Sequence, residues 1–157
     1  MTSKISANQI RKLKEETGAP VMRVKIVLEQ FGDLPVPEGE KRACEILQKE
    51  GFEKAAKREA RETAQGKIFT YAHHTGKVAS IVELMCETDF VAKNELFETL
   101  GKDLTLQVAS MGEKNLETQE FIKDPSKKIS DLIRAVVAKT GENIKIGRVQ
   151  RIELGIK

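Results

Sequence analysis

The chain has 157 residues, of which 39% are apolar and 32% are charged. That mixture permits a packed core beneath a solvated surface and argues against general disorder. Lys and Arg together number 27 against 24 Asp and Glu, which gives a formal net charge of +3. This balance lacks the concentrated basic character that is typical of nucleic-acid-binding proteins, so we expect no direct nucleic-acid partner.

The cysteines and the apolar runs exclude other classes of protein. Cys44 and Cys86 have neither a metal-ligand spacing nor a disulfide framework. No apolar run approaches the ~20 residues needed to cross a bilayer, and the N-terminus lacks the apolar segment of a signal peptide. We therefore expect a cytoplasmic protein with ordinary reduced thiols and no membrane partner.

Residues 1 to 52 predict an N-terminal domain of three short helices. Gly18 ends the first helix, and Pro20 opens the second, where a first-turn proline costs little. The third helix is predicted over 38 to 50, with Gly51 as its stop. A unit of this size has a small core and is usually an interaction module. Met22, an adaptable side chain near the start of the second helix, is its candidate partner contact.

Residues 53 to 66 predict a charged helical linker. The segment is rich in alanine and charge, has high helix propensity and holds several opposite-charge pairs three or four residues apart. Its basic side chains leave RNA contact open as an alternative: Lys54, Lys57, Arg58 and Arg61. Acidic neighbours dilute their charge, so a solvated linker is the favoured interpretation.

Residues 67 to 157 predict an α+β core domain. Two strands come first, on either side of a Thr75-Gly76 turn: 67–74 and 78–85. A long helix over 91–111, a polar loop, a helix opened by Ser130-Asp131 and a strand over 143–154 follow. A three-stranded antiparallel sheet with helices on one face would bury their apolar stripes. Gly101 should weaken the long helix by about 1 kcal/mol relative to alanine.

The strand-to-helix turn at Thr88, Asp89, Phe90 and Val91 is the most unusual stretch. Thr88 and Asp89 are N-cap types whose side-chain oxygens can accept the first free N–H groups of a helix. Phe90 places a large apolar side chain beside a carboxylate, where backbone usually runs over the surface. It is either a hydrophobic staple that packs back on the sheet, which the local sequence favours, or part of an Asp-Phe pair presented to a partner.

No motif for catalysis or cofactor binding is present in the sequence. The chain has no Gly-rich phosphate loop, nucleophile elbow or zinc pattern. His73 and His74 are adjacent, so on a strand they would point to opposite faces and could not share a metal. We therefore expect neither an enzyme nor a bound cofactor or metal.

Four stretches resemble elongation factor Ts, the nucleotide exchange factor for elongation factor Tu: 13–22, 54–58, 82–97 and 137–144. The third reads Val-Glu-Leu-Met-Cys-Glu-Thr-Asp-Phe-Val-Ala-Lys-Asn-Glu-Leu-Phe and is similar to the family signature nearly residue for residue. The resemblance implies a three-helix domain similar to a ubiquitin-associated fold, followed by an α+β core. It also implies that Asp89 and Phe90 insert beside the nucleotide site of elongation factor Tu, where the ring wedges between helices and disturbs the Mg²⁺ and phosphate site. The N-terminal contacts implied by motif position are Leu13, Val21, Met22 and Lys25.

Some residues depart from the family pattern. Pro20 and Val21 replace the usual Gly and Met, and Arg23 reverses a charge that the family often carries. The loop from Gly112 to Thr118 is shorter than in many members. Short members are expected to pair as homodimers, so a homodimer is expected here too. A relative that binds elongation factor Tu without driving exchange stays open as the alternative.

Overall fold

The computed structural model describes residues 5–156. Within that range the elements occur in the following order: α1 (Ala7–Thr17), α2 (Val21–Glu29), α3 (Val36–Ala56), β1 (Gln65–Ala72), β2 (Val78–Cys86), α4 (Asp89–Ala92), α5 (Glu95–Met111), β3 (Glu120–Phe121), β4 (Asp124–Lys128), α6 (Ile129–Thr140) and β5 (Ile144–Glu153). No helix in this range is long and apolar enough to cross a membrane.

Helices α1 to α3 form the predicted N-terminal unit around a small aliphatic core. Ser6 caps α1 by accepting a hydrogen bond from the Gln9 N–H, and the Gln9 side chain accepts from the Ser6 N–H in return. Gly18 ends α1 with a left-handed φ of 69°. The core is aliphatic, as the composition requires: Leu13, Val24, Val27, Leu28, Ala43 and Leu47.

The predicted stop of the third helix at Gly51 is wrong, because α3 continues to Ala56. Gly51 serves instead as a point of close approach between helices. A Cβ at this position would lie 3.2 Å from the Cβ of Ala138 on α6. Gly18 likewise approaches α6, since a Cβ there would lie 2.9 Å from the Cα of Lys139. Both glycines therefore let the N-terminal helices pack directly on the core domain.

The prediction of a helical linker over 53–66 is wrong beyond Ala56. Residues 57–64 form turns and irregular backbone, and β1 already begins at Gln65. Gln65 and Gly66, the last residues of the predicted linker, pair with Cys86 and Met85 in the sheet and so cannot be helical. Ala55 is also buried in the main core, so the start of this segment is not solvated. Tertiary packing has overridden a strong local propensity.

The predicted three-stranded antiparallel sheet is confirmed, in the order β1-β2-β5. Alternate residues of β2 face the helices and are buried, namely Ser80, Val82, Leu84 and Cys86. Helices α5 and α6 contribute the other half of this core, including Phe97, Leu104 and Ile133. The opposite face of the sheet is open in the single chain and carries Ile68, Ile81 and Ile152.

Two further elements differ from prediction. The expected helix over 91–111 is split, because Asn94 interrupts it and its Oδ1 accepts a hydrogen bond from the Leu96 N–H at 2.8 Å to cap α5. The expected polar loop over 112–128 contains a short hairpin of β3 and β4. Gln107, buried on α5, holds it by donating to the Glu120 carbonyl and accepting from the Ile122 N–H.

Candidate partner-binding site

The Thr88–Val91 turn presents Phe90 to solvent and buries its neighbour. Phe90 is 81% exposed, whereas Val91 is 8% exposed and lies in the main core. Thr88 is the N-cap of α4, and its hydroxyl oxygen accepts a hydrogen bond from the Val91 N–H at 3.5 Å. The staple interpretation of Phe90 is therefore wrong, since Val91 anchors the turn and the phenyl ring contacts little of its own chain.

Asp89 lies beside Phe90 and forms an exposed ion pair with Lys93. Its Oδ2 lies 3.0 Å from the Lys93 Nζ, one helical turn later, and both side chains are mostly exposed. An exposed pair of this kind is worth little, because water screens it and ordering two side chains costs entropy. The carboxylate can therefore leave Lys93 for a partner's donor at small cost.

Beneath the turn, Glu142 binds Thr88 with both carboxylate oxygens. Its Oε2 accepts from the Thr88 N–H at 2.9 Å, and its Oε1 accepts from the Thr88 hydroxyl at 2.5 Å. Glu142 comes from the loop between α6 and β5, which is 54 residues away in sequence. Hydrogen bonds to an ionised group are roughly twice as strong as neutral ones, so this contact holds the turn firmly.

Cys86 lies directly below the turn and is fully buried. Its thiol donates a hydrogen bond to the Thr88 carbonyl at 3.1 Å. Burial, followed by the negative charge of Glu142, raises the pKa of the Cys86 thiol. The cysteine therefore packs as a neutral group in the sheet.

The N-terminal candidates divide into one buried and three exposed residues. Leu13 is 1% exposed and belongs to the core of the three-helix unit, so it cannot contact a partner directly. Met22 is 66% exposed, and Val21 and Lys25 are also exposed on α2. Ile26 lies four residues after Met22 and is exposed beside it on the same helix face. Ile26 was not among the predicted contacts, although its spacing of four residues from Met22 could have indicated it.

Arg23, which departs from the family pattern, is engaged within the chain. Its guanidinium makes two hydrogen bonds to the Glu50 carboxylate, one of them from Nε at 2.9 Å. This bidentate contact lowers the pKa of Glu50 and joins α2 to α3. The reversed charge at Arg23 is thus largely neutralised internally and does not add a free cation to the α2 surface.

The two histidines are placed differently from the prediction. Strand β1 ends at Ala72, so His73 and His74 lie in the following turn, and their ring centroids are 4.1 Å apart. Their predicted orientation to opposite strand faces is therefore wrong. Among residues 5–156, no group of three or more His, Cys, Asp or Glu side chains is placed to hold a metal ion.

Comparison with known proteins shows which family the sequence of this chain resembles. A family model described as Elongation factor TS matches residues 87–156, which include the turn and its supporting loop. Elongation factor Ts of Leptospira biflexa is 36% identical over 200 aligned positions that cover 96% of this chain and 98% of that protein. The proteins of the same name from Herpetosiphon aurantiacus and Fervidobacterium nodosum are 34% and 33% identical over the same shares of each chain.

These relatives place the chain among the translation elongation factors. Within that class, the chain belongs to the elongation factor Ts family. Because the alignment spans 200 positions and the chain has 157 residues, at least 43 aligned positions face gaps in this chain.

Proposed function

We propose that this protein is a guanine nucleotide exchange factor that binds elongation factor Tu in its GDP form and promotes GDP release. The observation that supports this most is Phe90, which is 81% exposed on a turn whose other residues are capped, bonded or buried. An exposed aromatic ring on a rigid support is costly to leave in water and well suited to enter an apolar pocket.

In the proposed mechanism, the phenyl ring enters between helices of elongation factor Tu beside its nucleotide site. Asp89 exchanges its weak contact with Lys93 for a polar group of the partner. The displaced helices disturb the Mg²⁺ that bridges and neutralises the nucleotide phosphates, so GDP binds less tightly. By thermodynamic reciprocity, bound GDP must weaken the contact with this protein by the same factor.

A second contact holds the partner while the turn acts. The exposed apolar patch of α2 consists of Val21, Met22 and Ile26, with Lys25 beside it. Because this patch and Phe90 belong to domains packed on each other through Gly18 and Gly51, binding at one raises the local concentration of the other. The α2 patch should therefore set affinity, and Phe90 should set the rate of release.

The test is the release of fluorescent GDP from elongation factor Tu, measured against increasing concentrations of this protein. Wild type should accelerate release, whereas the Asp89→Ala, Phe90→Ala double variant should lose most of the acceleration. Met111→Ala is the matched control, since Met111 is also an exposed large apolar residue but lies at the far end of α5. If the double variant accelerates GDP release as much as wild type does, the mechanism is excluded. If wild type does not accelerate GDP release, the function is excluded.

Binding without exchange is the second candidate, and the shortened chain favours it. At least 43 positions present in the Leptospira biflexa relative are missing here, and any contact that those positions make is absent from this chain. This candidate predicts a stable complex with elongation factor Tu and an unchanged rate of GDP release. Calorimetric titration combined with the release assay separates the two functions.

We further propose that two copies associate through the open face of the sheet. That face carries Ile68, Ile81 and Ile152, all exposed, on the three strands opposite the helices. Covering it with a second copy would remove this apolar surface from water. Light scattering should give a dimer mass for wild type and a monomer mass for Ile81→Glu, while Met111→Glu should stay dimeric. A monomeric wild type at micromolar concentration would contradict this proposal.

A further inference from the structure

The loop between α6 and β5 contacts both the Phe90 turn and the segment that leads from the N-terminal domain. It contains Glu142 and Asn143, which belong to one of the stretches that resemble the family but have no role in the mechanism above. We propose that these two side chains are positioning residues: Glu142 fixes the turn that presents Phe90, and Asn143 fixes residues 59–61 to the same turn. This inference rests on the proposed function, which it deepens.

Glu142 acts on the turn through its two hydrogen bonds to Thr88. The Thr88 hydroxyl donates to Glu142 and accepts from the Val91 N–H, so one hydroxyl group connects the carboxylate to the first turn of α4. Gly141 ends α6 in a left-handed conformation with φ of 76°, which redirects the chain toward β5 and the turn. Without Glu142, the Thr88 N–H and hydroxyl would lose their acceptor, and the turn would gain conformational freedom.

Asn143 holds residues 59–61, which lie between the N-terminal helices and β1. It is 2% exposed, and its side-chain Nδ2 donates to the Arg61 carbonyl at 2.7 Å and the Glu59 carbonyl at 3.3 Å. Its backbone N–H donates to the Glu87 Oε1 at 2.7 Å, next to Thr88. Arg61 also approaches that Glu87 oxygen, at 3.6 Å. Asn143 thus connects residues 59–61 to Glu87, which directly precedes the turn.

The side chains of Glu142 and Asn143 should affect different steps of nucleotide exchange. Glu142 controls how often a docked complex has its turn in the inserting conformation, which sets the maximum rate of GDP release. Asn143 controls the placement of the segment between the two contact surfaces, which sets the effective concentration of one contact once the other has formed. A role limited to overall stability would not separate these two parameters.

The first experiment measures amide hydrogen exchange by NMR in the free full-length protein. Glu142→Ala should accelerate exchange at Thr88 and Val91 by about tenfold, because the acceptor that orders them is lost. Glu113→Ala is the matched control, since Glu113 accepts a hydrogen bond from the Arg151 N–H at 2.8 Å elsewhere in the same domain. It should leave exchange at Thr88 unchanged.

The second experiment measures GDP release from elongation factor Tu over a range of concentrations of each variant. Glu142→Ala should lower the maximum rate about tenfold at an unchanged half-saturating concentration. Asn143→Ala should raise the half-saturating concentration several-fold at an unchanged maximum rate. In a Thr88→Val background, the effect of Glu142→Ala should shrink, because much of it acts through the missing hydroxyl.

The outcomes separate this inference from the proposed function. Two results would overturn the positioning role. One is a rate of amide hydrogen exchange at Thr88 that is the same in Glu142→Ala as in wild type. The other is a Glu142→Ala effect on the maximum rate of GDP release that is as large in the Thr88→Val background as in wild type. If wild type fails to release GDP, the proposed function fails, and the hydrogen-exchange result still decides whether Glu142 orders the turn. If circular dichroism shows that Glu142→Ala is unfolded, Glu142→Gln replaces it. That variant keeps one acceptor oxygen and should give intermediate exchange at Thr88.

Discussion

Replacement of Gly101 by alanine sets two opposing effects against each other, and the structure decides which is larger. Gly101 lies inside α5, where alanine is favoured over glycine by about 1 kcal/mol. However, a Cβ on Gly101 would lie 2.3–2.4 Å from three atoms of the Phe69 ring. Carbon atoms normally pack at about 3.5–4.0 Å, so the ring must move by more than 1 Å to admit the methyl group.

That movement is not free, because Phe69 packs on the core. Its ring centroid lies 6.0 Å from that of Phe97, which is fully buried. Forcing extra volume into a packed site costs roughly 1–3 kcal/mol, which exceeds the gain in helix propensity. We therefore expect Gly101→Ala to lower the free energy of unfolding by about 1 kcal/mol and the melting temperature by roughly 2–4 °C.

The assay is urea and thermal unfolding followed by circular dichroism, with Phe69→Ala as the partner variant. In the Phe69→Ala background the steric cost disappears, so adding Gly101→Ala should stabilise the protein through helix propensity alone. We therefore expect Gly101→Ala to lower the free energy of unfolding in the wild-type background and to raise it in the Phe69→Ala background. If Gly101→Ala is stabilising in the wild-type background, the argument from the Phe69 ring is refuted.

Three further predictions concern ionisation, thiol reactivity and the α2 patch. Arg23 lowers the pKa of Glu50, so the contribution of this pair to stability is complete above the ordinary glutamate value of 4.5 and is lost as the pH falls through the lowered folded-state pKa. The difference in urea midpoint between wild type and Glu50→Gln should therefore shrink between pH 7 and pH 3, and a constant difference would contradict the assignment. Burial raises the pKa of both thiols, but Cys86 is fully buried whereas Cys44 is only partly buried. Mass spectrometry after alkylation at pH 7.5 should show Cys44 modified first and Cys86 only on unfolding; early modification of Cys86 would argue against its burial. Met22→Ala should raise the half-saturating concentration in the GDP-release assay by up to about tenfold, because Met22 is mostly exposed and free to bury apolar area on a partner. Its melting temperature should stay at the wild-type value.

The residues by themselves determined the main periodic elements and their order, although not the end of α3 or the backbone of residues 57–64. The 2-residue alternation of β2, the 3.6-residue stripe of α5 and the glycines after α1 and α6 are local signals that act within one turn or one strand. The resemblance around Thr88–Val91 likewise needed only a continuous stretch of sequence. These features depend on neighbours in the chain, and they were predicted correctly.

Only the tertiary structure decided which of two local possibilities occurs. Phe90 and Val91 are both apolar and adjacent, and the depth of the core beneath α4 determines that Val91 is buried while Phe90 is exposed. Gly51 and Gly101 appeared to be a helix stop and a weak point, but each accommodates a side chain from a distant element: Ala138 and the Phe69 ring. Glu142 and Thr88 are 54 residues apart, and no periodicity connects them. Contacts of this kind follow from how the elements pack, and a pattern that acts over a few residues contains no information about them.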